Sequence, residues 1–188
     1  PAAARHRRGC GGGASFEISN PPNTATGNAG GANRREINDM TTTPDGNYRV
    51  LTREGAADRK NGIVIAGTHD PLHPKQISEF TDGVTAGVHS TFIHSQAKYD
   101  THIYLTNDGT GALHVIDISD PYHTKQVSTW APRQSDAGRM LHDIDVQDGL
   151  LYGAWWKDGL VILDVCDGIK GVQTSAPQLV SQYKLDPQ

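Results

Sequence analysis

Two histidines, His89 and His142, are the residues whose type and spacing could do chemistry in this sequence. They lie 53 positions apart, and each opens a short run with the alternating pattern of a β-strand. Neutral imidazoles that converge on one point can bind Zn, Cu or Fe, so the pair is a candidate site for a divalent transition metal. A structural role is the alternative, because such a histidine can also hydrogen-bond to a loop backbone. Met40, at the third matching position, is a poor fit to a zinc site.

The spacing of the two histidines follows an internal repeat of about fifty residues. Asp120-Pro121 and Lys125-Gln126 stand fifty positions after Asp70-Pro71 and Lys75-Gln76. The same phrase occurs, in altered form, near the beginning of the chain and again near its end, as Glu17-Ile18-Ser19-Asn20-Pro21 and Asp164-Val165-Cys166-Asp167-Gly168. A fixed period of this length indicates a structural unit that is copied along the chain.

Each copy reads as short β-strands separated by turns. The second copy contains GVHSTFIH, THIYLT, ALHVIDI and KQVSTW, and no segment has a convincing helical period. Its third strand is continuously apolar, which suits burial on both faces, whereas its fourth strand alternates, which suits an outer edge. The sequence therefore predicts an all-β fold made of four-stranded antiparallel β-propeller blades. In such a fold both histidines would open innermost strands and face the central channel.

The phrases LHVIDISDP, at 113–121, and GLVILDV, at 159–165, resemble the LVIVD repeat of bacterial and archaeal surface and secreted proteins. The resemblance implies a β-propeller that is usually exported, so the expected location is extracellular, at the cell surface or periplasmic. The family's His-Asp opening appears as His142-Asp143 and, altered, as His89-Ser90. The first full repeat has Asp39-Met40-Thr41 there instead, which weakens any function that needs a full ring of identical residues.

The repeat divides the chain into a leader and a series of blades. Residues 1–14 are rich in Arg, Ala and Gly and are expected to be a disordered leader or linker, and 15–37 to be a partial blade. Complete blades are predicted at 38–82, 87–131 and 139–185. About three blades and a remnant fall short of most propellers, so we expect the chain to be part of a larger one. Two chains that close a ring as an oligomer are the alternative.

Composition and motifs exclude several classes of function. A net charge of −4 gives no argument for nucleic-acid binding, and no apolar run is long enough to predict a transmembrane helix. There is no nucleophile elbow, Walker loop or dinucleotide-binding fingerprint. The two cysteines, Cys10 and Cys166, are expected to be free thiols, and lipidation at Cys10 stays open.

Two functions of different classes remain. The first is an exported interaction scaffold that binds a protein or small molecule on one face of the propeller. The second is a metal-dependent enzyme with His89 and His142 in its channel, similar in architecture to the selenium-binding proteins, which are also propellers with channel histidines. No catalytic residue or bound organic cofactor is assigned. We also expect Asp117 and Asp164, which end third strands, to accept hydrogen bonds from backbone amides of the following turns.

Overall fold

The computed structural model describes residues 36–56, 58–98, 100–133 and 137–184. In these residues twelve β-strands form three antiparallel sheets of four strands, and each sheet follows the order of the chain. One short 3₁₀ turn at Ala137–Arg139 is the helical element of the described part. The predicted leader, Cys10 and residues 15–35 of the predicted partial blade lie outside the described residues, and Glu36 forms an isolated antiparallel bridge with Glu54 next to the first sheet.

The strands of the three sheets are short and similar in length. Sheet one contains β1 Met40–Thr42, β2 Tyr48–Arg53, β3 Gly62–Gly67 and β4 Lys75–Phe80. Sheet two contains β5 Thr91–Gln96, β6 Asp100–Thr106, β7 Leu113–Asp117 and β8 Lys125–Trp130. Sheet three contains β9 Leu141–Gln147, β10 Leu150–Trp155, β11 Gly159–Asp164 and β12 Gln178–Tyr183. The prediction of an all-β fold with three complete four-stranded blades is confirmed.

All three sheets carry the same irregularity, which identifies them as copies of one unit. The pairing of the third and fourth strands shifts by one residue after Ile65 in sheet one, after Val115 in sheet two and after Ile162 in sheet three. A bulge fixes the register of the strands around it. It therefore gives a structural alignment of the three repeats that does not depend on sequence similarity.

Sheet two lies between the other two and buries both of its faces. In β6, Ile103 and Leu105 pack in one apolar cluster with residues of sheet one, such as Val50 and Ile63. Tyr104 points to the opposite face and packs in a second cluster with residues of sheet three. Alternate residues of one strand therefore serve two different cores. Within the described residues the three sheets do not close into a ring.

Burial along the blade follows the predicted order. The third strand of sheet one has Ile63, Val64 and Ile65 fully buried, whereas the fourth strand of each sheet is mostly exposed or half-buried. The first strands lie next to one another, since β5 contacts both β1 and β9. A propeller places its first strands around the axis, so this contact is the one expected of adjacent blades.

The aspartates that end the third strands are bonded as predicted. Asp117 accepts a hydrogen bond from the amide of Ser119 at 2.8 Å. Asp164, which is fully buried, accepts bonds from the amides of Gly168 and Gly171 at 3.0 Å each, and from the amide of Lys170. Both side chains stabilise the turn that leads into the fourth strand.

Candidate functional site

Corresponding threonines of sheets one and two show which residues open the first strands. The hydroxyl oxygen of Thr52 accepts bonds from the amides of Asn38 and Asp39, at 3.3 and 2.8 Å. The hydroxyl oxygen of Thr106 accepts bonds from the amides of His89 and Ser90, both at 3.0 Å. Asn38 in sheet one is therefore the structural counterpart of His89 in sheet two.

Sheet three continues the series, with a change at the threonine. Asp143 pairs with Ala154, which has no hydroxyl and occupies the place of Thr52 and Thr106. Asp143 is then the counterpart of Ser90, and the residue before it, His142, is the counterpart of His89. The interpretation of Met40 as the third matching position is wrong. Met40 pairs with Leu51 two positions further along its strand. The structural counterparts Asn38, His89 and His142 are 51 and 53 positions apart, whereas Met40 lies only 49 positions before His89.

His89 and His142 lie side by side, as the repeat predicts. Their ring centroids are 4.5 Å apart and the ring planes are inclined by 47°. His142 is the second residue of β9, whereas His89 lies two residues before β5 rather than on the predicted strand. The strand begins later because the amides of His89 and Ser90 bond to the Thr106 side chain instead of to a neighbouring backbone.

A second set of corresponding positions lies at the ends of the second strands. Two residues beyond Thr52 is Glu54, two residues beyond Thr106 is Asp108, and two residues beyond Ala154 is Trp156. None of these three residues was predicted to belong to a site. The recurrence of Thr-x-Glu and Thr-x-Asp at 54 positions apart was a signal that could have found the two acids.

The two acids lie close to each other and to His89. Oε2 of Glu54 lies 3.2 Å from Nδ1 of His89. Burial, and then the charge of Glu54, raise the pKa of Asp108 to about 6. Oδ1 of Asp108 is buried and has no hydrogen-bond partner in the described part of the chain. Gly87 makes room for this carboxyl, since a Cβ there would lie 2.1 Å from Asp108 Oδ2.

His89 has two competing partners on the same ring nitrogen. Nδ2 of Asn38 lies 2.6 Å from Nδ1 of His89, the atom that also faces Glu54. Nδ1 can accept a bond from Asn38 when it carries no proton, or donate one to Glu54 when it is protonated. The position of the proton on the His89 ring therefore selects between an amide and a carboxylate neighbour.

Trp156 completes the set as an exposed aromatic side chain. Its indole is 62% exposed, and its ring centroid lies 5.7 Å from that of His142 with the planes inclined by 31°. Trp155, in contrast, is buried and donates its Nε1–H to the carbonyl of Gly111 at 3.0 Å. Trp155 therefore belongs to the core, whereas Trp156 is at the surface. We call the two sets together the rim site: Asn38, Glu54, His89, Asp108, His142 and Trp156.

The floor of the rim site ties the three blades together. The hydroxyl of Ser90 lies 3.3 Å from Oδ2 of Asp39 and 3.2 Å from Oδ1 of Asp143. Asp39 also accepts a bond from the amide of Thr91 at 2.8 Å. The single hydroxyl hydrogen of Ser90 is shared between the two carboxylates, and the amide of Thr91 adds a full bond between sheets two and one. All three blades thus contribute to one hydrogen-bonded cluster across the first strands.

The predicted metal ligands His89 and His142 come together as a pair. Within the described residues, no group of three or more His, Cys, Asp and Glu side chains is arranged to hold a metal ion. Glu54 is a further ligand type beside the pair, with its Oε2 3.2 Å from Nδ1 of His89. Binding of a metal by this pair stays a prediction.

His114 shows how a structural histidine of this fold differs from the rim pair. Its Nε2 lies 2.9 Å from Nδ2 of Asn107 and its Nδ1 lies 2.6 Å from Oε1 of Gln126. Both ring nitrogens are thus paired with side-chain amides, and burial lowers the pKa of His114. It borders a cavity of about 360 Å³ beside Phe80 and Lys125 but has no ring nitrogen free for a ligand.

Comparison with known proteins agrees with the repeat seen in the structure. The family model of the LVIVD repeat matches residues 105–129 and 138–184, which covers the end of β6 to β8 in sheet two and all four strands of sheet three. No curated protein matches the chain. Within its described residues, the structure has no helix that is long and apolar enough to cross a membrane.

Proposed function

We propose that this chain, which carries LVIVD repeats, is an exported binding scaffold whose ligand-binding surface is the rim site. The observation that carries the proposal is the exposed side chain of Trp156 beside the adjacent imidazoles of His142 and His89. An exposed tryptophan that is held by a rigid neighbour is a common anchor for a binding partner.

The framework under the rim site suits recognition without movement. Ser90, Asp39 and Asp143 are hydrogen-bonded across three sheets, and the sheets bury two apolar clusters between them. Rigid sheets that present loops and strand ends from several blades to one surface are a frequent design for binding. LVIVD proteins are typically extracellular, which supports export of this chain.

The chemistry of the rim site favours a cationic group as ligand. Glu54 and Asp108 supply carboxyl groups on one side, and Trp156 and His142 supply aromatic faces on the other. A cation gains from the face of an indole and from nearby carboxylates at the same time. The buried Oδ1 of Asp108, which has no partner among the described residues, would gain from a positive charge as well.

The test compares choline with 3,3-dimethylbutan-1-ol, a neutral molecule of the same shape. We expect choline to shift the backbone amide NMR signals of residues 142 and 156, and the neutral analogue to leave them unchanged. Trp156→Leu should weaken choline binding about tenfold, because a partly desolvated cation–π contact contributes about 1–2 kcal/mol. The matched control is Tyr183→Leu, which removes another exposed aromatic ring, at 66% exposure, from an outer strand.

Equal shifts with choline and its neutral analogue would contradict a cation site. Unchanged choline affinity in Trp156→Leu would place any binding elsewhere on the molecule. Choline is compared with its neutral analogue on the same protein, and Trp156→Leu is compared with Tyr183→Leu. Neither result can therefore be attributed to loss of folding.

A metal-dependent enzyme is the second candidate, and the 4.5 Å separation of the His89 and His142 rings favours it. Metal that copurifies in a stoichiometric amount, and that is lost in His142→Ala, would support this candidate over the scaffold. The two imidazoles would then be metal ligands, and a further ligand would have to move towards them from its present position.

A further inference from the structure

The outer face of sheet three carries an apolar patch, and no other sheet of the described residues packs against it. The patch consists of Tyr152, Leu160, Ile162, Val180 and Tyr183. Strand register places Tyr152 opposite Ile162 and Leu160 opposite Tyr183. Leu160 is 40% exposed and Tyr183 is 66% exposed.

The counterparts of these residues in sheet two form its contact with sheet three. In sheet two, Tyr104 pairs with Val115 and Leu113 pairs with Trp130, in the same register. Tyr104, Leu113 and Val115 are fully buried in the apolar cluster that joins the two sheets, and Trp130 packs against it. The corresponding face of sheet one, with Val50 opposite Ile65 and Ile63 opposite Phe80, is buried against sheet two in the same way.

A repeated hydrogen bond leads to the same conclusion. The hydroxyl of Ser78 in sheet one donates to the carbonyl of Pro121 in sheet two, at 2.5 Å. The hydroxyl of Ser128 in sheet two donates to the carbonyl of Thr174 in sheet three, at 2.7 Å. The third copy is Ser181, which pairs with Ile162 as Ser128 pairs with Val115. Ser181 is exposed, and its hydroxyl has no partner among the described residues.

We propose that the outer face of sheet three is a docking face for a further four-stranded blade. The partner presents an apolar face of the kind that sheet three itself presents to sheet two, built like Ile144, Leu151 and Trp155. Its loop between the third and fourth strands offers a backbone carbonyl to Ser181. The interface continues the series in which sheet two covers sheet one and sheet three covers sheet two.

The outer face of sheet one does not have this character, so a second copy of the chain is not the partner we propose. Strand register places Arg49 where sheet three has Leu151, and Arg53 where it has Trp155. Arg53 is buried and forms an ion pair with Glu79 at 2.9 Å. Covering this pair with an apolar face would remove solvent from Glu79, a penalty that well-matched apolar side chains do not carry.

The test adds a blade within the intact protein. In an extended chain, residues 131–184 are repeated once, directly after Lys184, so that the ten residues 131–140 join the sheets as they do in the native chain and a second copy of sheet three can dock on the first. We expect amide exchange in residues 178–183 of the original sheet to slow by on the order of tenfold or more, because the strand is no longer at the surface of the last sheet. Leu160→Asp in the extended chain should abolish this protection, whereas Leu72→Asp, at a loop residue 70% exposed, should not.

The unextended chain gives an independent result if the extended chain does not fold. Leu160→Asp should reduce binding of an apolar dye such as anilinonaphthalene sulfonate, and Leu72→Asp should leave it unchanged. Equal dye binding in all three proteins, or unchanged exchange at 178–183 in a folded extended chain, would overturn the proposal. Sedimentation of the unextended chain should show a monomer, and an oligomer that Leu160→Asp dissociates would identify a second copy as the partner instead.

Discussion

Removal of the Asp164 carboxylate should be among the most destabilising single changes in the structure. Asp164 ends β11, is fully buried and accepts hydrogen bonds from three backbone amides of the turn between Asp164 and Gly171. Its counterpart in sheet two, Asp117, is partly exposed and accepts one backbone amide bond and the hydroxyl of Ser119. The two positions thus form a matched pair that differs in burial and in the number of amides served.

The expected magnitudes follow from that difference. A hydrogen bond to a charged acceptor contributes about 1.5–3 kcal/mol, and part of this is recovered when water reaches the amides of a loosened turn. We expect Asp164→Ala to lower the free energy of unfolding by about 3–5 kcal/mol and Asp117→Ala by about 1 kcal/mol. Asp164→Asn keeps one acceptor oxygen and should fall between the two.

Urea denaturation followed by tryptophan fluorescence, to which the buried Trp155 contributes, measures all three variants. With a denaturant slope of about 2 kcal/mol per molar, Asp164→Ala should move the midpoint by roughly 2 M and Asp117→Ala by roughly 0.5 M. Equal midpoints for the two alanine variants would refute the reasoning, because burial and amide count would then not decide the cost. If Asp164→Ala fails to fold, the midpoint of Asp164→Asn carries the comparison.

Two further predictions concern groups whose protonation the fold perturbs. The pKa of Asp108 is raised from 3.8 to about 6, so its contribution to the free energy of unfolding is present below about pH 4 and is lost as the pH rises through 6. Asp108→Asn should make the free energy of unfolding depend less on pH, and it should be more stable than the parent protein at pH 7 by about 1–2 kcal/mol. A pH profile parallel to that of the parent protein would contradict this prediction. Burial, and then the charges of Asp164 and Asp167, raise the pKa of the Cys166 thiol to about 11. A thiol reagent at pH 8 should therefore modify Cys166 on the order of a hundredfold more slowly in the native protein than in urea. Peptide mapping separates the modification of Cys166 from that of Cys10, and equal rates in the two conditions would show that the Cys166 thiol is accessible.

The architecture could be predicted from the sequence because the repeat carries its own register. Apolar third strands and Asp-Pro turns recur at a nearly constant spacing, and these are local signals. The pairing of His89 with His142 follows from the same period. Gly168 stands where the other repeats have the proline of the Asp-Pro pair, and the reason appears only in the structure. The amide of Gly168 donates to Asp164, and a proline would have no N–H to donate.

The rest of the rim site could not be predicted for a physical reason. Asn38 was missed because the spacing of counterparts is not constant, being 51 positions from Asn38 to His89 and 53 from His89 to His142, so that the nearby Met40 was taken in its place. Trp156 stands where the other two sheets have an acid. Its side chain is chemically unlike those of Glu54 and Asp108, so a comparison of residue types does not identify it as their counterpart. Such counterparts are defined by strand register and by the threonine side chains, and both depend on contacts between distant parts of the chain.

The alternation of β6 between two cores constrains how this protein can change. Ile103 and Leu105 belong to the cluster shared with sheet one, and Tyr104 between them belongs to the cluster shared with sheet three. Loss or gain of a single residue within this strand would exchange the two sets, placing a tyrosine in a space shaped for isoleucine and leucine, and the reverse on the other side. The first and third sheets each bury one such face against sheet two. Insertions should therefore be excluded from β6 far more strictly than from the loops around it, and variation in length should collect in those loops.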